Sequence, residues 1–151
     1  LLDAKYIDFP AYTFPAGFKT LLVGDPNYNV AAGTYNAKGK HLVNAPAVSV
    51  NLTAQKDWRL AGGADIFLRG EWSHTSRVFF DPTNIPIGSR PPTGITNASA
   101  GYAPANANWD VAVWVKNIED KRYISGIYAT GTIITGVSPP RTFGIRLNYR
   151  Y

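Results

Sequence analysis

The last ten residues constrain the fold most. From Thr142 to Tyr151 the chain reads TFGIRLNYRY, with Phe143, Ile145, Leu147, Tyr149 and Tyr151 on one face. Thr142, Gly144, Arg146, Asn148 and Arg150 fall on the other. Side chains of a strand point alternately to its two faces, so strict period two over ten residues is a strand and excludes a helix. A strand of about 10 residues also has the length that a tilted strand needs to cross a bilayer.

The same alternation recurs upstream. Pro46, Val48, Val50, Leu52 and Ala54 oppose Ala47, Ser49, Asn51, Thr53 and Gln55. Trp109, Val111, Val113 and Val115 oppose Asp110, Ala112, Trp114 and Lys116. Looser versions run from Ile66 to Arg77, from Thr96 to Tyr102 and from Leu2 to Ile7, which gives about six strands. The intervening segments alternate in length: 10–41 long, 58–63 short, 81–92 medium, 103–108 short, 124–141 long. Long connections at one end and short turns at the other characterise up-and-down barrels of bacterial outer membranes. Aromatic residues near the strand ends, Trp58, Tyr102, Trp109 and Tyr149 among them, suit the interfacial girdles of such barrels. A soluble sandwich would give the same alternation. Composition favours the barrel: charged residues are 17%, below the roughly 25% of a soluble domain, and almost none lies on the apolar faces.

Three segments then carry a resemblance. VAVWVKNIEDKRY (Val111 to Tyr123) holds Asn117, Ile118, Glu119-Asp120, Lys121 and Tyr123 in the order of a penultimate barrel strand. PPRTFGIRLNYRY (Pro139 to Tyr151) has the Pro, Arg, aromatic, Gly and alternating run of a closing strand. LVNAPAVSVNLTAQKDW (Leu42 to Trp58) has Asn44, Pro46 and Asn51 at the entry of a downward strand. Together they resemble the last strands of TonB-dependent outer-membrane receptors. The resemblance implies an all-β, antiparallel, up-and-down transmembrane barrel segment, about six strands of a barrel of about 22. Residues 1–151 would be the C-terminal part of that barrel domain, with the plug domain and the TonB-contacting segment absent. It leaves Leu1–Phe9 and Thr142–Tyr151 as the expected open edges.

The implied function is energised uptake of a scarce nutrient, such as a ferric siderophore, in the bacterial outer membrane. This chain would supply barrel wall and extracellular loops. The implied partners are outer-membrane lipid, the rest of the barrel and plug, TonB through the upstream part, and the barrel-assembly machinery. That machinery would read Phe143, Ile145, Leu147, Tyr149 and Tyr151 as its signal. Tyr12, Phe14, Phe18, Tyr28 and Tyr35, all in the long 10–41 segment, are candidate ligand-contacting aromatics. Loops beyond about 15 residues are usually functional or disordered. Inward charges such as Arg69 and Glu71, two positions apart on one face, are expected to pair locally. The alternatives are a small stand-alone outer-membrane barrel (pore or adhesin) and a soluble β-sandwich binding module.

Enzyme chemistry finds no footing. Cys is absent, the two histidines (His41 and His74) are far apart, and no nucleophile or nucleotide-binding motif occurs, so no catalytic residue, metal or cofactor is expected. The net charge of +5 is spread along the chain, which gives no support to nucleic-acid binding.

Overall fold

A computed structural model describes residues 1–14, 19–129 and 133–151. The strands, in chain order, are β1 (Tyr12–Thr13), β2 (Tyr28–Asn29), β3 (Thr34–Tyr35), β4 (Ser49–Arg59), β5 (Asp65–Thr75), β6 (Val78–Phe79), β7 (Ser89–Arg90), β8 (Thr93–Ala103), β9 (Trp109–Lys116), β10 (Ile124–Ala129), β11 (Ile133–Val137) and β12 (Thr142–Tyr149). Two single turns of 3-10 helix stand among them in the described residues, at Thr20–Leu22 and Pro86–Gly88. The chain is therefore all-β, and it divides into two compact units.

The first, the sheet unit, comprises Val50–His74, Gly94–Arg122 and Pro139–Tyr151. Its five strands lie in the order β12-β9-β8-β5-β4, an up-and-down meander without a crossover. β9 pairs antiparallel with both neighbours: Ile145 lies opposite Val113, which lies opposite Ala100, and Leu147 opposite Val111, opposite Tyr102. Short turns at 60–64 and 104–108 close one end. Gly63 (φ +82°) and Asn106 (φ +54°) supply the left-handed conformations these turns need. At the other end the strands run into the long connections 76–92 and 117–141, so the expected asymmetry of loop length holds. The sheet does not close on itself among the described residues, and its open edges are β4 and β12.

The loop unit comprises Leu1–Ser49, Thr75–Thr93 and Tyr123–Ser138. It contains the small sheet β1-β3-β2, the β6–β7 pair and the β10–β11 hairpin. Phe14, Leu22, Tyr35 and Ala37 are buried at its centre, and Tyr6, Phe9, Tyr12, Tyr28, Ile85 and Ile127 pack around them.

Three expectations are corrected here. The strand over Leu2–Ile7 does not form. Ala4 and Tyr6 hydrogen-bond to Leu42 and Lys40, but Leu2 bonds to Ala47, a slip of three residues that stops a ladder from growing. What remains is a single Lys5–His41 bridge, and five long strands replace six. An open edge at Leu1–Phe9 goes with it. In their described residues the segments 10–41 and 124–141 carry strands rather than plain loop, β1 to β3 in the first and the antiparallel β10–β11 pair in the second.

Candidate functional site

The two faces of the five-stranded sheet differ sharply. On the apolar face β12 sets Phe143, Ile145, Leu147 and Tyr149, β9 Trp109, Val111, Val113 and Val115, and β8 Ala98, Ala100 and Tyr102 in register. Leu68 borders Ala98, Ala100 and Val113, and Trp72 borders Leu52 and Ala54, so β5 and β4 continue the face. Leu52, Leu68, Val113, Ile145 and Leu147 are between 51% and 74% exposed, a contiguous apolar surface of the kind that marks contact with another protein surface or a membrane. Aromatic side chains bracket these aliphatic ones. Trp58, Tyr102, Trp109 and Tyr149 stand at the short-turn end, with Tyr102 and Trp109 edge to face at 6.3 Å. Trp72 and Phe143 stand at the other end, Trp72 stacked on His74 at 5.7 Å. Phe143, Ile145, Leu147, Tyr149 and Tyr151 are all exposed.

The polar face is packed by aromatic rings lying over glycines. A Cβ on Gly101 would stand 2.0 Å from Phe67 Cε1, and one on Gly144 2.6 Å from Trp114 Cζ2. Lys116 Nζ sits 5.6 Å from the centre of the Trp114 ring, within cation–π range. The Arg69 guanidinium donates to Glu71 at 2.8 Å, as the two-residue spacing predicts. Arg150 lies 3.7 Å from Asp110, which also accepts from Asn148 at 2.7 Å, and Arg59 lies 3.2 Å from Asp65. Near the short-turn end these groups border an open concavity of about 780 Å³.

The segment 117–121 proves to be a tie between strands. Asn117 adopts φ +55°, a left-handed conformation that Asn tolerates. Its carboxamide accepts from the Lys121 amide (3.0 Å) and donates to the carbonyls of Lys121 (2.9 Å) and Pro139 (3.3 Å). Its own amide donates to Asn97 on β8. Asp120 accepts from the Arg141 amide at 2.7 Å, and Glu119 from the Thr96 amide and hydroxyl. The Thr96 bonds hold the Glu119 carboxyl below its ordinary range, and the Arg141 amide does the same for Asp120. The motif thus fastens the ends of β8, β9 and β12.

In the loop unit, rings run in a chain Tyr6–Phe9–Tyr12–Phe14–Tyr28 with successive centroids 5.1 to 5.9 Å apart. Four of the five candidate loop aromatics therefore come together; Phe18 lies outside the described residues. Tyr35 is fully buried and Phe14 nearly so, whereas Tyr12 and Tyr28 keep an exposed part. The Tyr12 hydroxyl donates to buried Asp81 at 2.9 Å. Burial, then the Asp81 charge and that bond, push the Tyr12 phenol well up. Asp81 also accepts from the Thr83 amide and hydroxyl, a turn that the Asp-Pro-Thr-Asn run (81–84) signals. Tyr35 donates to Asp25 at 3.0 Å. Burial alone would raise the Asp25 carboxyl, but bonds from Asn27 and Tyr35 and the nearby Lys40 together leave it below the ordinary range. Arg90, a residue that the sequence pattern does not single out, lies over the Tyr123 ring at 5.2 Å.

No protein-family model matches the chain. No curated protein matches it. Among solved structures it is similar to the crystal structure of BauA, the ferric preacinetobactin receptor from Acinetobacter baumannii, with a TM-score of 0.59 and 20% sequence identity over 74% of this chain. The chain spans 16% of the length of that receptor. At that identity the likeness is one of fold.

Proposed function

We propose that the chain is the C-terminal wall-and-loop segment of a TonB-dependent receptor in the bacterial outer membrane, serving uptake of a scarce nutrient such as a ferric siderophore. The observation that carries this reading is the exposed aliphatic band bracketed by two rows of aromatics. A strand of 11 residues extends about 37 Å and, tilted by roughly 40°, rises about 28 Å, close to the apolar band of about 25 Å of outer-membrane barrels. The fold shared with a ferric siderophore receptor supports it. So do the three sequence segments, two of which contribute residues to the tie at 117–121. In this mechanism the sheet is rigid wall against lipid, the polar face looks towards the plug, and the long connections meet ligand. Of the described loop aromatics, Tyr12 and Tyr28 retain the exposure needed to touch it. The plug, engaged by TonB, moves. The exposed face ending in Tyr149 and Tyr151 is the signal for the barrel-assembly machinery. This segment performs no chemistry of its own.

The rivals fit less well. A sandwich would bury the face that is exposed here. A stand-alone monomer would leave β4 and β12 unpaired in lipid, which costs several kcal/mol per group. The extra strands within 10–41 have two residues each, about 7 Å, too short to span.

The deciding experiment is the denatured mass of the parent polypeptide in the outer-membrane fraction, with its gel mobility before and after boiling. About 70–80 kDa, heat-modifiable, is expected for a barrel of about 22 strands plus plug. A mass near 16.5 kDa overturns the reading, in favour of a small barrel if the protein needs detergent and a sandwich if it does not.

A further inference from the structure

Arg90 is anomalous among the cations of the loop unit. It makes no ion pair or side-chain hydrogen bond among the described residues, and its Nε–H is buried without an acceptor. Its guanidinium carbon lies 5.2 Å from the centre of the Tyr123 ring, which offers no counter-charge. An arginine cannot relieve burial by losing its proton. A partly desolvated, uncompensated charge is costly, and it persists where a counter-charge is provided. The described carboxylates of this unit do not provide one. Asp3 is taken by Lys5, Asp25 by Asn27 and Tyr35, and Asp81 by Thr83 and Tyr12. Asp8 lies beyond ion-pair distance from any described cation.

We infer that Arg90, backed by Tyr123, is a docking point for an oxyanionic group of the transported ligand, so that the ligand is an anionic chelate rather than a neutral one. The guanidinium sits within cation–π range of the Tyr123 ring. Its Nη edge, the part not sealed with Nε, then offers donors in the geometry that suits paired oxygens of a carboxylate, catecholate or phosphate. The backbone supports the placement: β6 and β7 pair Val78 with Arg90 and Phe79 with Ser89, and the Tyr123 amide is held by the Ser138 hydroxyl at 3.1 Å. Arg77 precedes Val78, points to the opposite side of that ladder and donates to Ser89 at 3.2 Å, so it serves as the internal control.

The inference rests on the proposed receptor role, and the test separates the two. Full-length protein in detergent micelles is titrated with a trianionic ferric tris-catecholate complex and an uncharged ferric tris-hydroxamate complex, with iron-55 as the label. The native protein is expected to prefer the catecholate complex. Arg90→Gln is expected to lose about tenfold or more of that affinity, Arg90→Lys to lose less, and Arg77→Gln to leave it unchanged. Equal affinity of Arg90→Gln and native protein, or native preference for the uncharged complex, overturns the anion site while leaving the receptor role standing. Binding of neither complex by a protein that is heat-modifiable and outer-membrane located overturns the anion site and restricts the receptor role to other nutrients. Inorganic phosphate as competitor separates sources: displacement at millimolar concentration would show a general phosphate site and overturn the chelate assignment. Heat-modifiability of each variant confirms that it has folded.

Discussion

Gly144 faces Trp114 directly across the β9–β12 ladder, and the indole lies where a methyl group would go. Gly144→Ala and Gly101→Ala are each expected to cost about 1–3 kcal/mol, because the ring must leave its place. Gly70, on the apolar face with nothing within 4 Å of its notional Cβ, is the contrast: Gly70→Ala is expected to be neutral or to stabilise by about 0.4–1 kcal/mol. Denaturant midpoints of the refolded full-length protein measure all three, and equal effects at Gly70 and Gly144 would refute the stacking account. Asn117 is the second such position. Asn117→Ala forfeits three carboxamide bonds and puts a Cβ residue without local compensation at φ +55°, so a loss of about 2–4 kcal/mol is expected in the same measurement.

Individual strands show what a sequence can and cannot disclose. β12 and β9 were legible to within a residue or two, since each alternates without interruption and nothing else satisfies that pattern. The faces followed from parity, and so did the Arg69–Glu71 pair. Leu2–Ile7 alternates as well, yet a strand also requires a partner in register, and that requirement is invisible in six residues. The 10–41 and 124–141 segments were opaque for another reason: their strands of two to six residues are set by side-chain bonds such as Tyr35–Asp25 and Tyr12–Asp81, which join positions up to 69 residues apart. Arg90 was illegible for the same reason, since its significance lies in the counter-charge it lacks among the described residues. One prediction belongs at this scale. Leu147→Arg on the apolar face is expected to destabilise by about 2–4 kcal/mol in a bilayer, whereas Asn148→Arg, one residue on and facing the other way, is expected to cost less than half as much. Comparable losses in lipid vesicles would count against a membrane-facing surface. Replacing Tyr149 and Tyr151 together by Ala is expected to slow outer-membrane assembly, seen as accumulation of the form that is not heat-modifiable, with little change in the final fold.

At the scale of the whole molecule, each unit carries carboxyls held below their ordinary range, Asp25 in the loop unit and Glu119 and Asp120 in the sheet unit, so acid acts on both. Asp25 has a folded pKa below its unfolded one, so its contribution is present above the ordinary carboxylate range and disappears as pH falls through the lowered value. Loop-unit stability is therefore expected to fall on acidification below about pH 4, and Asp25→Asn to flatten that slope. A variant that remains as acid-sensitive as the native protein would place the effect elsewhere.

Such an experiment has a convenient readout built into the chain. All four tryptophans, Trp58, Trp72, Trp109 and Trp114, belong to the sheet unit, while the ring chain through Tyr6, Tyr12 and Tyr28 belongs to the loop unit. Excitation at the red edge of aromatic absorption, where only indoles respond, follows the sheet alone. The tyrosine bands of the near-ultraviolet dichroism are weighted towards the loop unit. Two optical colours would report whether the loop unit loosens before the sheet does, with no label attached.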